Sequence, residues 1–506
     1  MRYLAAIIGL FCIGLAPLSG NDTFSSTRLQ NFFSEFTCEQ KNELNKAGLT
    51  PPCTENPWSP VTPIDPLAPP PNPPTPPLMT NYLPIVIVNN SGLHDSEVFI
   101  VMTVGSDKFM EFDAAGVGTL QGASPGQATD KYSKSLFDLP TGSTGRVIYL
   151  EQDATVQLAS GNLWFSLGQS LSITVNAGPA IAQPSAVPSI GNPNSYTPFD
   201  FFEITINPQN SPPDVAALFC DLTAVTDFSI PLYGFLSTPA PSTPTNLGFY
   251  QPQKYIFSQV ATDFANAPES TQWNKLSIMS PANETIRILS TQLSISMNPS
   301  SLSPDSFNYE YLNSTSGFNY LSDVLNYYST NTLTITTPPV PGFGSITYSG
   351  NTVIATETIM VTSASNGDML IDLSEADITF NLFGSNGPTI TGSAPASVQV
   401  ELNKIFTQSI ITGLIPTTQD LTKPFLNEPS TRETFYQFNS NLSTTDQTGP
   451  WYDLYSKSLH KLADVYTSGY DDEIYDGVQL VSQTIETSGP TPTYIGITIG
   501  DTTTQY

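Results

Sequence analysis

Five short runs of β-forming residues, packed into about a hundred residues and separated by turn formers, restrict this chain more than any other feature does. They are PIVIVNN, SEVFIVMTVG, GRVIYLEQ, GNLWFSLG and SLSITVNAGP, broken by Gly, Asn, Ser and Pro. Such spacing leaves little room for helical crossovers and predicts an antiparallel sandwich or barrel. FDFFEITIN and LFCDLTAVTDFSIPLYGF continue the series. After about residue 245 the texture changes. FNYLSDVLNYYS, SVQVELNKIFTQSIITGL and WYDLYSKSLHKLADVY carry apolar residues at helical spacing. In the last of these the predicted face is Tyr452, Tyr455, Leu459, Leu462 and Tyr466. TLTITT, GSITYSG, NTVIATETIMVTS and YIGITIGD read as strands between and after these helices. The expected fold is therefore mainly β with an α+β part. A β-barrel or sandwich domain spans 81–245, with the C-terminal strands free to return to it. A mixed α/β domain spans 246–506, and no repeat of fixed period runs through the chain.

The first eighty residues have a different character. Arg2, an apolar stretch from Tyr3 to Leu15, and then Pro17, Ser19 and Gly20 follow the order of a secretory signal over 1–20. The apolar stretch is shorter than the roughly 20 residues that a membrane-spanning helix needs. Residues 21–50 form a small segment with Leu29, Phe32, Phe33 and Phe36 at helical spacing. Residues 51–80 contain PLAPPPNPPTPP. Proline there fixes φ and removes donors, which predicts an extended linker. Export permits disulfides, and Cys38 and Cys53 are placed to close a loop. Cys220, between Phe219 and Leu222, reads as a buried thiol.

Charge excludes several partners. The chain has 16 Lys and Arg against 44 Asp and Glu, a net charge of −28. That surface repels phosphate backbones and anionic lipid, so neither nucleic acid nor a membrane is an expected partner. Neutral glycans carry no such penalty. The only histidines are His94 and His460, and no Cys-x-x-Cys occurs, which argues against zinc or Cys/His catalysis. Walker, dinucleotide, HExxH and usable nucleophile-elbow patterns are missing. Carboxylates, hydroxyls and aromatics remain, a set suited to glycoside hydrolysis without a cofactor. Glu203 is the foremost candidate. On a strand it shares a face with Thr205 and Asn207, while Phe202, Ile204 and Ile206 point to a core. Burial beside Phe201 and Phe202 would help it hold a proton. Read as one strand, CDLTAVTDFSIPLYG puts Asp221, Thr223, Val225 and Asp227 on one face. An ordinary polar outer face is the plain alternative for both strands.

These residues also carry a family likeness. SGNLWFSLGQSLSITVNAGPAIAQPSA, NPNSYTPFDFFEITIN and DLTAVTDFSIPLYG, in that order, resemble the core of glycoside hydrolase family 64, the β-1,3-glucanases. NYYSTNTLTITT and LYSKSLHKLADVYTSGYDDEIYDGVQ resemble later parts of the family, so the likeness runs from about residue 83 to the end. It implies a thaumatin-like β-sandwich or barrel beside a mixed α/β domain, with a wide groove between them. It implies an inverting mechanism, with Glu203 as acid and an aspartate as base, acting on β-1,3-glucan; the signal over 1–20 makes the expected protein a secreted one, and a monomer is expected. Thr205, Asn207 and Thr223 fall on groove positions, and Phe219 on that of a groove tryptophan. The base departs from the pattern: without gaps it falls on Thr226, one residue before Asp227. Asp227 needs a bulge to face the groove, and Asp221 is the other candidate. His460, Asp471 and Asp472 are further groove candidates or ordinary structural and solvated residues. Two rival readings stand beside the hydrolase. One is a non-catalytic β-glucan-binding protein on the same fold, and the other is a structural or adhesive surface protein.

Overall fold

The computed structural model describes residues 75–291, 325–372, 388–411, 453–468 and 478–502, less short internal stretches of which 209–215 is the longest. The chain divides into Met1–Pro66, which lies outside the described residues, and Leu67–Tyr506, to which everything below refers. The signal, the Cys38–Cys53 loop and most of the proline linker therefore lie outside the described residues. So do Asp471 and Asp472, and most of FNYLSDVLNYYS.

Strands dominate the first part. In order they are β1 (Tyr82–Asn89), β2 (Val98–Val104), β3 (Lys108–Phe112), β4 (Gly118–Gly122), β5 (Lys134–Ser135), β6 (Arg146–Glu151) and β7 (Leu158–Leu167). Next come β8 (Thr174–Val175), β9 (Ile181–Ala182), β10 (Phe199–Ile206), β11 (Leu218–Thr223), β12 (Asp227–Phe228), β13 (Leu232–Ser237) and β14 (Asn246–Gly248). Helix α1 (Gln253–Asn266) opens the second part, followed by β15 (Ser277–Met279), β16 (Thr285–Leu289), β17 (Leu333–Thr336), β18 (Thr347–Val353), β19 (Thr358–Ser363), β20 (Gly367–Asp372) and β21 (Ile390–Gly392). The described elements end with α2 (Ala396–Ile411), α3 (Leu454–His460), β22 (Gln479–Ser482) and β23 (Tyr494–Ile499).

Two large sheets share the main core. One has the order β14-β13-β23-β1-β6. The other is eight-stranded, with the path β22-β11-β10-β7-β2-β3-β4 and β5 on β2. The last strands of the chain are built into both: β23 lies parallel to β1 and antiparallel to β13, and β22 extends the edge of β11. Alternation explains the layering. Along β10 Phe202, Ile204 and Ile206 are buried, as are Leu163 and Phe165 on β7 and Leu218, Cys220 and Leu222 on β11. Full burial of Phe202 contributes on the order of 2 kcal/mol. The second sheet comes close enough that a Cβ on Gly234 of β13 would stand 2.5 Å from the Phe202 ring. Cys220 is buried with a free thiol, as the sequence suggests.

The second part has its own sheets. β12, β16 and β15 form one, and α1 packs Ile256, Phe257, Val260 and Phe264 into the core. β17 to β21 form an antiparallel sheet whose buried side carries Leu333, Ile335, Tyr348, Ile359, Val361, Met369 and Ile371. Helix α2 runs beside it with Val398, Leu402 and Phe406 buried.

Two sequence expectations change. The helix expected over WYDLYSKSLHKLADVY ends at His460, because backbone pairing wins over helical spacing. Asp464 bridges Gly248, and Tyr466 lies parallel to Thr223, with Tyr466 N–H donating to Leu222 O at 2.9 Å. CDLTAVTDFSIPLYG is not one strand. β11 ends at Thr223, Ala224 N–H is taken by Tyr466 O at 2.7 Å, and Ser290 N–H by Thr226 O at 2.9 Å. The chain therefore leaves the eight-stranded sheet, and Asp227 enters a different one, opposite Leu289.

Candidate active site

The side of the eight-stranded sheet turned away from the core carries a polar row centred on Glu203. Directly paired residues of antiparallel strands share a face. Glu203 pairs with Asp221 on one side and with Asn162 on the other. Asp221 in turn pairs with Gln479, and Asn162 with Thr103. At about 4.8 Å per strand the row spans about 19 Å. Glu203, Asp221, Asn162 and Gln479 are half-buried, while Thr103 is covered.

The neighbouring rows are aromatic and hydroxylic. Phe201 pairs with Thr223 and Trp164. The Trp164 and Phe201 rings lie 4.2 Å apart, and Trp164 Nε1 donates to Thr103 Oγ1 at 3.2 Å. On the other side Thr205 pairs with Phe219, and Phe219 with Val481. Next to it the β7 register slips by one, and the Ser160 N–H, at a residue with φ 49°, donates to Thr205 Oγ1 at 3.2 Å. The Thr205 hydroxyl keeps its own proton to offer. Asn207 lies at the strand end, buried, with its amide donating to Ala216 O at 2.8 Å. Thr223 is buried and Phe219 half-buried. The tertiary structure thus brings together Glu203, Thr205, Phe219, Asp221 and Thr223 on one face. His460 is buried elsewhere, its Nε2 bonded to Thr467 Oγ1 at 2.9 Å.

Asp227 takes a different place. It is 2% exposed, and its Oδ1 accepts the hydroxyl of half-buried Thr226 at 2.9 Å. Asp227 Oδ2 has no hydrogen-bond partner among the described residues. Burial pushes the carboxyl up to about 6, against the pull of Arg287 and the Thr226 hydrogen bond. Asp200, on the same strand as Glu203, is held well above the usual range by burial and by the charge of Asp227. Its Oδ2 accepts Ser229 N–H at 2.7 Å and also Ile230 N–H, which fixes the turn that follows Asp227. Arg287, fully enclosed, lies 4.4 Å over the Phe199 ring and donates to the carbonyls of Ala186 (2.7 Å), Asn194 (3.4 Å) and Thr197. Nearby Asp453 caps α3 through Tyr455 N–H and accepts Thr291 Oγ1 at 2.8 Å; burial raises it too, to about 6.

Sequence reasoning missed Asn162 and Gln479 on the open face, Trp164 buried beside them, and Asp200 and Arg287 beneath it. Alternation within GNLWFSLG puts Asn162 and Trp164 on one side, but only pairing sets them beside Glu203. Among the described residues no group of three or more potential ligands could hold a metal ion.

The buried acids set a pH dependence of stability. A carboxyl raised in the folded state stabilises the fold fully below its unfolded value of about 3.9, and that contribution is lost as pH rises through the folded value. For Asp227 and Asp453 the window runs from about 4 through 6. The stability of wild type minus that of Asp227→Asn is therefore expected to fall as pH rises across that window, measured by urea denaturation at each pH. A flat difference would contradict it.

Comparison with known proteins bears on the family and the fold. The sequence model described as Beta-1,3-glucanase, of the Glyco_hydro_64 family, matches residues 81–497. A laminaripentaose-producing β-1,3-glucanase solved in complex with laminaritetraose superposes with a TM-score of 0.58 at 16% identity, covering 84% of this chain and 99% of that one. A β-1,3-glucanase domain from Clostridium beijerinckii superposes with a TM-score of 0.55 at 16% identity, covering 84% of this chain and 100% of that one. At these identities the structural likeness speaks to the fold. No curated protein matches the sequence.

Proposed function

The chain belongs to glycoside hydrolase family 64, the β-1,3-glucanases, and is a glycoside hydrolase; on that premise we propose that it cuts internal bonds of β-1,3-glucan outside the cell, with inversion. The observation that carries this reading is the half-buried Glu203 at the centre of a row of amide, hydroxyl and carboxyl groups, flanked by the Trp164–Phe201 pair. The row suits sugar hydroxyls, and the half-buried Phe201 ring, backed by buried Trp164, suits the C–H face of a pyranose. That a fold relative was solved with laminaritetraose supports the choice of substrate.

Glu203 protonates the leaving glycosidic oxygen. Asp221 stands directly opposite, where paired Cβ atoms are about 4.5–5.5 Å apart. An inverting base needs a carboxyl separation of about 6.5–9.5 Å to admit the water. That spacing argues against Asp221 as the base. Asp227 supplies the base through Thr226. The attacking water forms the new C1–O bond and passes its proton to Thr226 Oγ1, while the Thr226 proton moves to Asp227 Oδ1. Glu203 gives its proton to the departing oxygen as the C1–O bond breaks. A carboxylate that holds its proton up to about pH 6 is a stronger base than an ordinary one.

Proton NMR of fresh digests of linear β-1,3-glucan should show the α-anomer first. Thr226→Val and Asp227→Asn should each lower kcat by about 10²-fold or more. Full activity in Thr226→Val together with an inactive Asp221→Asn would make Asp221 the base. Export rests on residues 1–20, and recovery from the medium of protein lacking them is its test.

A further inference from the structure

The segment joining β7 to β10 folds around a cavity of about 660 Å3 that does not include Glu203. Gln169, Ser189, Asn192, Pro193, Tyr196 and Thr197 line it, and none of its described lining residues is charged. The volume lies within the range of ligand sites, roughly 300–1,000 Å3.

The wall is fixed from several directions. Gln169 Nε2 donates to Pro193 O at 3.2 Å and to Thr197 Oγ1. The Asn192 amide donates to Ser185 O and Val187 O, each at 3.2 Å, and its oxygen accepts Asn194 N–H at 2.9 Å. Arg287 holds the carbonyls of Ala186, Asn194 and Thr197 from beneath. Within this rigid frame Ser195 is 4% and Thr197 2% exposed, whereas Tyr196 between them is 43% exposed. A ring held in water at the mouth of an uncharged cavity offers one apolar face and one hydroxyl, the combination that suits a pyranose. The uncharged lining provides no cation for an anionic ligand, and the net charge of −28 repels one.

Position links the cavity to the catalytic row. Thr197 precedes Phe199, the first residue of β10, and Phe199 lies four residues from Glu203, or about 13 Å along the strand. We propose that this cavity is a second carbohydrate site, where Tyr196 holds a remote segment of the β-1,3-glucan chain that is cut at Glu203. The assignment of ligand rests on the glucanase reading above.

The test uses full-length protein carrying Glu203→Gln, so that substrate is not consumed, and measures retention on insoluble β-1,3-glucan. Adding Tyr196→Ala should weaken retention about tenfold, the scale of a lost aromatic contact, and Tyr196→Phe should largely keep it. In the otherwise wild-type enzyme, Tyr196→Ala should leave kcat on short soluble laminari-oligosaccharides unchanged. Retention equal with and without Tyr196→Ala would overturn the proposal. Equal Tyr196-dependent retention on cellulose would overturn β-1,3-glucan as the ligand. Absence of hydrolysis by the wild type would instead count against the Glu203 reading, while the retention measurement still decides the site.

Discussion

Replacing Glu203 by Gln is expected to lower kcat on linear β-1,3-glucan by about 10²–10⁴-fold, which is the usual contribution of a positioned general acid. The thermal midpoint should hardly move, because the side chain is half-buried on the open face and its removal exposes no core. Gln keeps the volume and a hydrogen bond to the glycosidic oxygen but has no proton to transfer. The loss should therefore depend on the leaving group. On an aryl β-glucoside whose phenol departs without protonation, Glu203→Gln should recover most of its rate. Reducing-sugar release on glucan and phenol release on the aryl substrate measure the two cases. Equal losses on both would mean that Glu203 positions the sugar and does not protonate it.

The largest stability effect is expected from Arg287→Met, a loss of about 3–5 kcal/mol at pH 8, the usual cost of breaking a buried charge network by removing one partner. The guanidinium is enclosed and donates to three loop carbonyls while stacking on Phe199. Met fills much of the same space and satisfies none of those carbonyls. Asp200 and Asp227 would lose the guanidinium charge that opposes the effect of their burial. At pH 4 both acids are protonated, so the electrostatic part disappears and the loss should shrink. Urea denaturation of both proteins at pH 4 and pH 8 measures this. A loss independent of pH would assign the whole effect to the carbonyls and to packing. The same variant should loosen the Tyr196 loop, since Arg287 is its anchor.

Much of the site was legible because a strand has period two. FDFFEITIN by itself determines that Phe202, Ile204 and Ile206 face one way and Glu203 and Thr205 the other, and the structure agrees. Asn207 follows the alternation but sits where the strand ends, and there a backbone carbonyl is its partner. The helix in WYDLYSKSLHKLADVY begins where Asp453 can cap it. It stops short of its apolar pattern, because the backbone beyond Leu462 finds strand edges to pair with. Spacing measures the preference of a segment for itself and carries no information about an unfilled edge elsewhere in the fold.

Sequence by itself determined the β-rich class, the export signal as an expectation, the face of Glu203 and, through the order of its motifs, the family. Tertiary structure alone decided which groups stand beside Glu203. Asn162 and Asp221 pair with it across 41 and 18 residues of chain, Gln479 joins the row by pairing with Asp221 across 258, and each register is set by buried partners on the far side of the sheet. It also decided the fate of Asp227. The local contact at the turn after Thr223 is one long hydrogen bond, from Val225 N–H to Thr223 Oγ1 at 3.5 Å. The carbonyl and amide of Tyr466 and the amide of Ser290 add the distant bonds, and they carry the carboxylate from an open face into a buried cluster, with Thr226 left between it and the surface. The physical reason is the same in each case: side-chain alternation is a local property of the backbone, whereas backbone pairing and burial depend on whichever distant segment arrives.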